Sequence, residues 1–241
     1  MIKALLTTIA LTLACPAMAL PLINEFSVST SGTDIEYVEI WGLPNTDYSS
    51  YTILEIEGDF TSNPGTIDAV IPVGTTDANG LLLMTVPPNT FGNGTLSLLL
   101  VNIFSGSLSD DLDTNNDGVF DSTPWASIAD GVAVSDGSSS DLTYVLPVLG
   151  PNYDGLSSFA PGAASRIPNG VNTNSASDWM RNAFDNTVTP ITGEAFNTPG
   201  ACNIAAGEQV CRFANSVPTP ATLALFGLGL AGLGWSRRRK A

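Results

Sequence analysis

The sequence predicts an all-β sandwich with long loops, and three observations predict it. Apolar residues fall in short runs that either alternate with polar ones or are nearly continuous, as in "GLLLMTV" and "GTLSLLLVNIF", the patterns of half-buried and fully buried strands. Glycine, proline and asparagine break these runs at regular intervals, as turns between strands do. Helical periodicity does not alternate with the strand patterns, which favours packed sheets over a parallel α/β arrangement.

In chain order, residues 1–19 come first. Lys3 precedes an apolar run over residues 4–14, and "AMA" precedes Leu20, the layout of a secretory signal cut between Ala19 and Leu20. The run is too short to span a bilayer. Cys15 is a second candidate, for lipid attachment, although Thr12 stands where such sites usually carry leucine. Among the strands that follow, "LINEFSV" alternates weakly and "IEYVEIWG" clearly. Ile35, Tyr37 and Glu39 share one side of it, and Glu36, Val38 and Ile40 the other. "YTILEIEG" sets Ile53, Glu55 and Glu57 against Leu54 and Ile56. The continuous runs read as buried central strands, with turns at "NPG" (63–65), "ANG" (78–80), "GNG" (92–94) and "PNG" (168–170). "ASDWMRNAF" (176–184) predicts a short helical turn capped by Ser177 or Asp178. Residues 150–200, rich in Pro, Gly, Asn and Ser, predict long loops and no separate domain.

Export makes the cysteines readable. Cys202 and Cys211 most simply form one small disulfide loop in an oxidising compartment. A zinc site is a poor alternative, because two thiols without any histidine leave the ion short of ligands.

The tail reads "VPTPATLALFGLGLAGLGWSRRRKA". Fifteen uncharged residues, 221–235, would cover about 22 Å as a helix, against a hydrocarbon core of about 30 Å. The basic cluster at the end would stay in the cytoplasm. A proline pair, a short glycine-rich apolar helix and a terminal arginine cluster, in that order, resemble the PEP-CTERM sorting signal of Gram-negative, exopolysaccharide-producing bacteria. The resemblance rests on Val217, Pro218, Pro220, Arg237, Arg238 and Arg239, with Thr219 where glutamate is usual. It implies an inner-membrane-anchored precursor, processing by an exosortase-type membrane enzyme, and a mature form at the cell surface or outside. A plain membrane anchor is the alternative.

"LINEF" (22–26), "EYVEIWG" (36–42), "SRIPNG" with "SDWM", and "NTPGACN" (197–203) together resemble the lamin-tail domain. The resemblance implies an immunoglobulin-like β-sandwich that serves as an interaction or accessory module, with insertions in the longer stretch 60–150. The organisation expected is therefore a signal at 1–19, a sandwich at 20–203, a linker with the disulfide end at 204–216, and a sorting or transmembrane segment at 217–241.

One stretch points to a metal. In "SDDLDTNNDGVFDSTPW" (109–125), Asp113, Asn115, Asp117 and Asp121 have the spacing of a calcium loop. Gly118 permits the turn, the Val119 carbonyl can join, and Asp111 extends the set. Pro124 replaces the bidentate glutamate of an EF-hand, so the expectation is a structural calcium site of extracellular affinity, its alternative an acidic solvated turn.

Charge limits the partners. Twenty-three acids face eight bases, with no histidine. Lys3, Arg237, Arg238, Arg239 and Lys240 lie in the two end segments, which leaves Arg166, Arg181 and Arg212 as the only bases in residues 20–216, a net of −20. Such a surface repels phosphate backbones and predicts no nucleic-acid partner. Without histidine there is no Ser-His or Cys-His pair. Carboxylate pairs such as Glu36/Glu39 and Asp110/Asp111 are expected as surface charge, and Trp41, Trp125 and Trp179 as core or loop anchors. The functional expectation is a non-enzymatic exported protein of the cell surface or extracellular matrix, binding exopolysaccharide or other surface proteins. Its alternative is a carbohydrate- or protein-binding accessory module for an extracellular enzyme.

Overall fold

A computed structural model describes residues 20–30, 34–184 and 189–214. The predicted signal at 1–19 and the sorting segment at 217–241 lie outside these residues. Among the described residues no helix is long and apolar enough to cross a membrane.

Among the described residues there are ten strands: β1 (Leu22–Ser27), β2 (Glu36–Trp41), β3 (Tyr51–Glu57), β4 (Ile67–Pro72), β5 (Leu81–Val86), β6 (Leu96–Asn102), β7 (Ser127–Val134), β8 (Val148–Leu149), β9 (Ala163–Arg166) and β10 (Trp179–Arg181). They make two five-stranded sheets, ordered β10-β9-β1-β2-β5 and β4-β3-β6-β7-β8. Every pairing is antiparallel except β7 with β8. The predicted all-β, two-sheet architecture is the one observed.

Alternation decides which residues enter the core. Phe26, Val38, Ile40 and Met84 from the first sheet meet Ile53, Leu98, Leu100 and Val132 from the second in one apolar cluster. The opposite face of the second sheet is also covered, by Leu54, Ile56, Leu99 and Val101 packing beneath Leu112, Phe120, Trp125 and Tyr144. Strand β6 is therefore buried on both faces, as its continuous apolar run predicts. The similar run in β5 is not central, because β5 ends the first sheet.

An ion pair joins the sheets at one end of the core. Arg166 (β9) is fully buried and meets both oxygens of Asp130 (β7) at 3.0 Å. Asp130 accepts the Ile23 N–H at 2.8 Å, and Arg166 Nε donates to the Ile23 carbonyl at 2.8 Å. The pair thus completes β1 where β9 stops. Arg166 also reaches Asp178 and lies 4.4 Å from the centre of the Trp179 ring, a favourable cation–π distance.

Two expectations are corrected here. The stretch 176–184 makes only a 3-10 turn, Ala176–Asp178, and then enters β10. Its cap is Ser175, not Ser177 or Asp178, and Asp178 closes the reciprocal hydrogen bond three residues on. Residues 150–200 are not all loop either: β9 and β10 lie there and extend the first sheet.

Candidate functional site

The acidic loop lies over the outer face of the second sheet. Apolar residues hold it down: Leu112 is buried, and Phe120 stacks on Tyr144 with ring centres 4.8 Å apart and meets Trp125 edge-on at 5.4 Å. Main-chain bonds tie it to β4, from Ile67 N–H to the Asp110 carbonyl and from Leu112 N–H to the Gly65 carbonyl, each 3.0 Å.

Inside the loop, Asp113 is fully buried. Its carboxylate accepts the N–H groups of Gly118 (2.8 Å) and Asp117 (3.2 Å) and the Tyr144 hydroxyl (2.9 Å). Burial, and then this bond to Asp113, push the Tyr144 hydroxyl well above its ordinary value. A side chain at Gly65 would crowd Asp113, and Gly65 has φ +93°, so glycine fits there on both counts. Asp111 is half-buried and accepts the Asp113 N–H, while Asn115, Asp117, Val119 and Asp121 are exposed. Asp121 accepts from the N–H and hydroxyl of Thr114, and Asp117 from the Val119 N–H. The predicted set shares one loop, but Asp113 serves as its internal strut. Among the described residues, three carboxylate oxygens come within 4.8 Å of one another at Asp59, Asp136 and Asp141, outside this loop. Burial first, then Asp141 and Asp136, raise Asp59 against a lowering by the Thr95 N–H.

A different arrangement covers the outer face of the first sheet. Residues 195–214 lie across it and are held largely by hydrogen bonds. Glu25 and Glu39 sit directly opposite each other on β1 and β2, both fully buried. Glu25 accepts from Tyr37 (2.6 Å), Asn182 (2.9 Å), and both the N–H and hydroxyl of Thr198 (2.9 Å each). Glu39 accepts from Asn24 (3.2 Å) and the Gly200 N–H (2.8 Å). Asn203 donates to the carbonyls of Asn24 (2.9 Å) and Arg166 (3.1 Å), and Asn169 donates to those of Asn203 (3.1 Å) and Arg212 (3.0 Å). Burial raises Glu25, and burial followed by the Glu25 charge pushes Glu39 up to about 8. The raised pair holds a proton more readily than exposed glutamates do, which relieves the repulsion of like charges placed opposite each other. Gly170 (φ +73°) passes Trp41 so closely that a Cβ would lie 2.7 Å from its Nε1, and the Gly170 N–H donates to Asn24 Oδ1 at 3.0 Å.

The four motif pieces singled out in the sequence therefore converge. "INEF" supplies Asn24 and Glu25, "EYVEIW" Tyr37 and Glu39, "SRIPNG" Arg166 and Asn169, and "NTPGACN" Asn197, Thr198, Gly200 and Asn203. The product is a buried clasp that fixes the C-terminal strap. Cys202 and Cys211 form the expected disulfide, with Cα atoms 5.9 Å apart. The strap ends with Phe213 on Trp41 (ring centres 5.3 Å apart) and the Ala214 N–H on the Asn169 carbonyl (2.8 Å).

Sequence reasoning missed the burial of the glutamates. Glu36 and Glu39, read as surface charge, are both buried and point to opposite faces of β2, so they cannot face one substrate together. Glu36 accepts the N–H groups of Asn89, Thr90 and Phe91. Glu55 faces the inner core, accepts only the Gly92 N–H, and is pushed up to about 8 by burial first. Alternation placed these residues on the right faces, but it does not say what covers a face. Trp179 and Trp41 pack as anchors, as does Trp125.

Beside β10 lies a pocket of about 260 Å³, lined by Ser157, Phe159, Arg181, Phe184 and Glu194 among others. Phe159 and Phe184 are exposed at its rim, and Arg181 is locked below by Asp154 at 2.7 Å.

A family model for the PEP-CTERM protein-sorting motif matches residues 216–239. No curated protein and no solved structure matches the chain.

Proposed function

We propose that this chain, which carries a PEP-CTERM sorting motif and so is exported and handled by an exosortase-type enzyme, is a non-enzymatic protein of the cell surface or extracellular matrix. Its β-sandwich, of the immunoglobulin-like lamin-tail type, acts as an interaction module for exopolysaccharide or other surface proteins, with calcium stiffening the loop at Asp111, Asp113, Asn115, Asp117, Val119 and Asp121. The observation that carries the reading is the junction. The matched motif begins at residue 216, and the clasp holds the chain as far as Ala214, so a closed domain is joined to a sorting signal with almost no spacer. The test is the intact mass of the protein in outer-surface and culture-medium fractions of its host. A species running from Leu20 to the region of Val217–Pro220 is expected. A species running through Ala241 and confined to the inner membrane would overturn the reading and make the tail an anchor.

A second reading, an accessory module that binds carbohydrate for an extracellular enzyme, is favoured by the pocket at β10. Two exposed phenyl rings beside fixed polar groups suit the apolar faces and polar edges of a sugar. Glycan-array binding lost in Phe159→Ala and Phe184→Ala would support it.

A further inference from the structure

Four strands end the two sheets, and three of them are short, interrupted or partly paired. On β4 the backbone groups at Val70 and Pro72 point outward, but proline has no N–H, Asp68 is exposed, and the Ile67 N–H and carbonyl are bonded to Asp110 and Ser109. Strand β8 is two residues long. On β10 the outward carbonyl of Arg181 is bonded to the Ala195 N–H.

The fourth edge, β5, differs. The Gly42 N–H bonds to the Gly80 carbonyl at 2.8 Å, which fixes the phase of the β2–β5 ladder: Leu82, Met84 and Val86 bond to β2, while Leu81, Leu83 and Thr85 face away. Leu81 is already satisfied, because its N–H reaches Asp77 Oδ1 and its carbonyl accepts the Asp77 N–H. Among the described residues, that leaves the N–H and carbonyl of Leu83 and Thr85 without partners. Pro87, the next outward position, has no N–H. In a body of net charge −20, residues 78–109 contain no charged side chain, so β5 lacks the charges, proline and bulge that protect exposed edges.

From this edge we infer that the protein forms a two-fold dimer by antiparallel pairing of β5 with β5 of a second copy, giving a continuous ten-stranded sheet. An axis through Met84 places Leu83 opposite Thr85 of the partner subunit and Thr85 opposite Leu83 of the partner subunit. The four free groups of each strand then meet four of the other, which makes four hydrogen bonds, and the interface is isologous. Pairing stops there, because Leu81 is occupied and Pro87 cannot donate. Half-buried Leu82 and Val86 would face each other on the core side. Carboxylates elsewhere on the two bodies repel, so salt should strengthen the dimer.

The test is sedimentation analysis of protein purified from cells expressing the full chain, at low and high salt. Wild type should sediment as a dimer, more tightly at high salt. Thr85→Pro removes an outward N–H without touching the bonds to β2, and Thr85→Lys adds a charge to the edge; each should raise the dimer dissociation constant roughly tenfold to hundredfold. Leu108→Lys, at an exposed site elsewhere, should leave it unchanged. If Thr85→Pro does not fold, Thr85→Lys decides. A wild type that stays monomeric at about 0.5 mM, including one that instead captures a strand of another protein, overturns the inference. So does a dimer that both Thr85 variants leave intact.

Discussion

The two sheets each bury their outer face, and they do it by opposite means. The second sheet lies beneath an acidic loop whose inner side is aromatic and aliphatic, with one buried carboxylate, Asp113, organising the turn. The first lies beneath a strap held mainly by hydrogen bonds from glutamates, asparagines and a threonine, with Phe213 on Trp41 as an apolar contact. An apolar cover tolerates exchanges of similar volume, because its attraction is non-directional. A polar cover depends on each donor meeting its acceptor, and one lost partner leaves a buried group unsatisfied. The clasp should therefore be the more fragile to single substitutions, and the loop the more sensitive to solution conditions.

The largest effect should come from Asn203→Ala. It removes two donated bonds and leaves the carbonyls of Asn24 and Arg166 without these partners, a loss of about 3–5 kcal/mol. For a body of this size that is roughly a 10 °C fall in Tm by calorimetry. A fall of under about 2 °C would show that the strap contributes little. Asp113→Ala should cost somewhat less, about 2–4 kcal/mol, with or without calcium, because it orphans the Gly118 N–H and the Tyr144 hydroxyl.

Calcium sharpens the same contrast. If the loop holds calcium as proposed, with a dissociation constant of about 0.1–1 mM, 10 mM calcium should stabilise the protein by about 1.5–3 kcal/mol. Asp117→Ala and Asp121→Ala should abolish that gain and leave the stability in chelator nearly unchanged. An identical Tm in calcium and in chelator would remove the ion from the account of the loop.

The last effect is one of pH. Glu39 and Glu55, both pushed up to about 8 in the fold, titrate near 4.3 when unfolded. Their stabilising contribution is complete below the unfolded value and is lost as pH rises through about 8. Tm should fall between pH 5 and 9, and Glu39→Gln or Glu55→Gln should each flatten the decline. General charge repulsion acts in the same direction, so the flattening by these variants, and not the decline alone, is the decisive reading.

Much of this was legible in the sequence. The two-residue period put Val38 and Ile40 on one side of β2 and Tyr37 and Glu39 on the other, and the run in β6 announced a buried strand. The pairing of Cys202 with Cys211 followed from export and count. What was not legible is coverage. Glu39 lies on the outer face as its period requires, yet it is sealed by Gly200, 161 residues later in the chain. The apolar run of β5 looks central and ends a sheet, because composition records burial of side chains and not whether a neighbouring strand exists. The acidic loop announced its spacing, but whether Asp113 faces a cation or a turn of backbone depends on Tyr144, which no local pattern connects to it.

The end of the strap also has a mechanical consequence. Should the processed chain be held by its C-terminal end, tension enters at Ala214 and meets Asn169 first. Only Arg212 and Phe213 separate Ala214 from Cys211, and from there the disulfide carries the load across to Cys202, bypassing the residues between. The leash can lengthen only by those last few residues before the pull arrives at Asn203 and the glutamates behind it. A domain tethered in this way is gripped at its own closure, so the strength of its hold on a surface is set by the same hydrogen bonds that keep it folded.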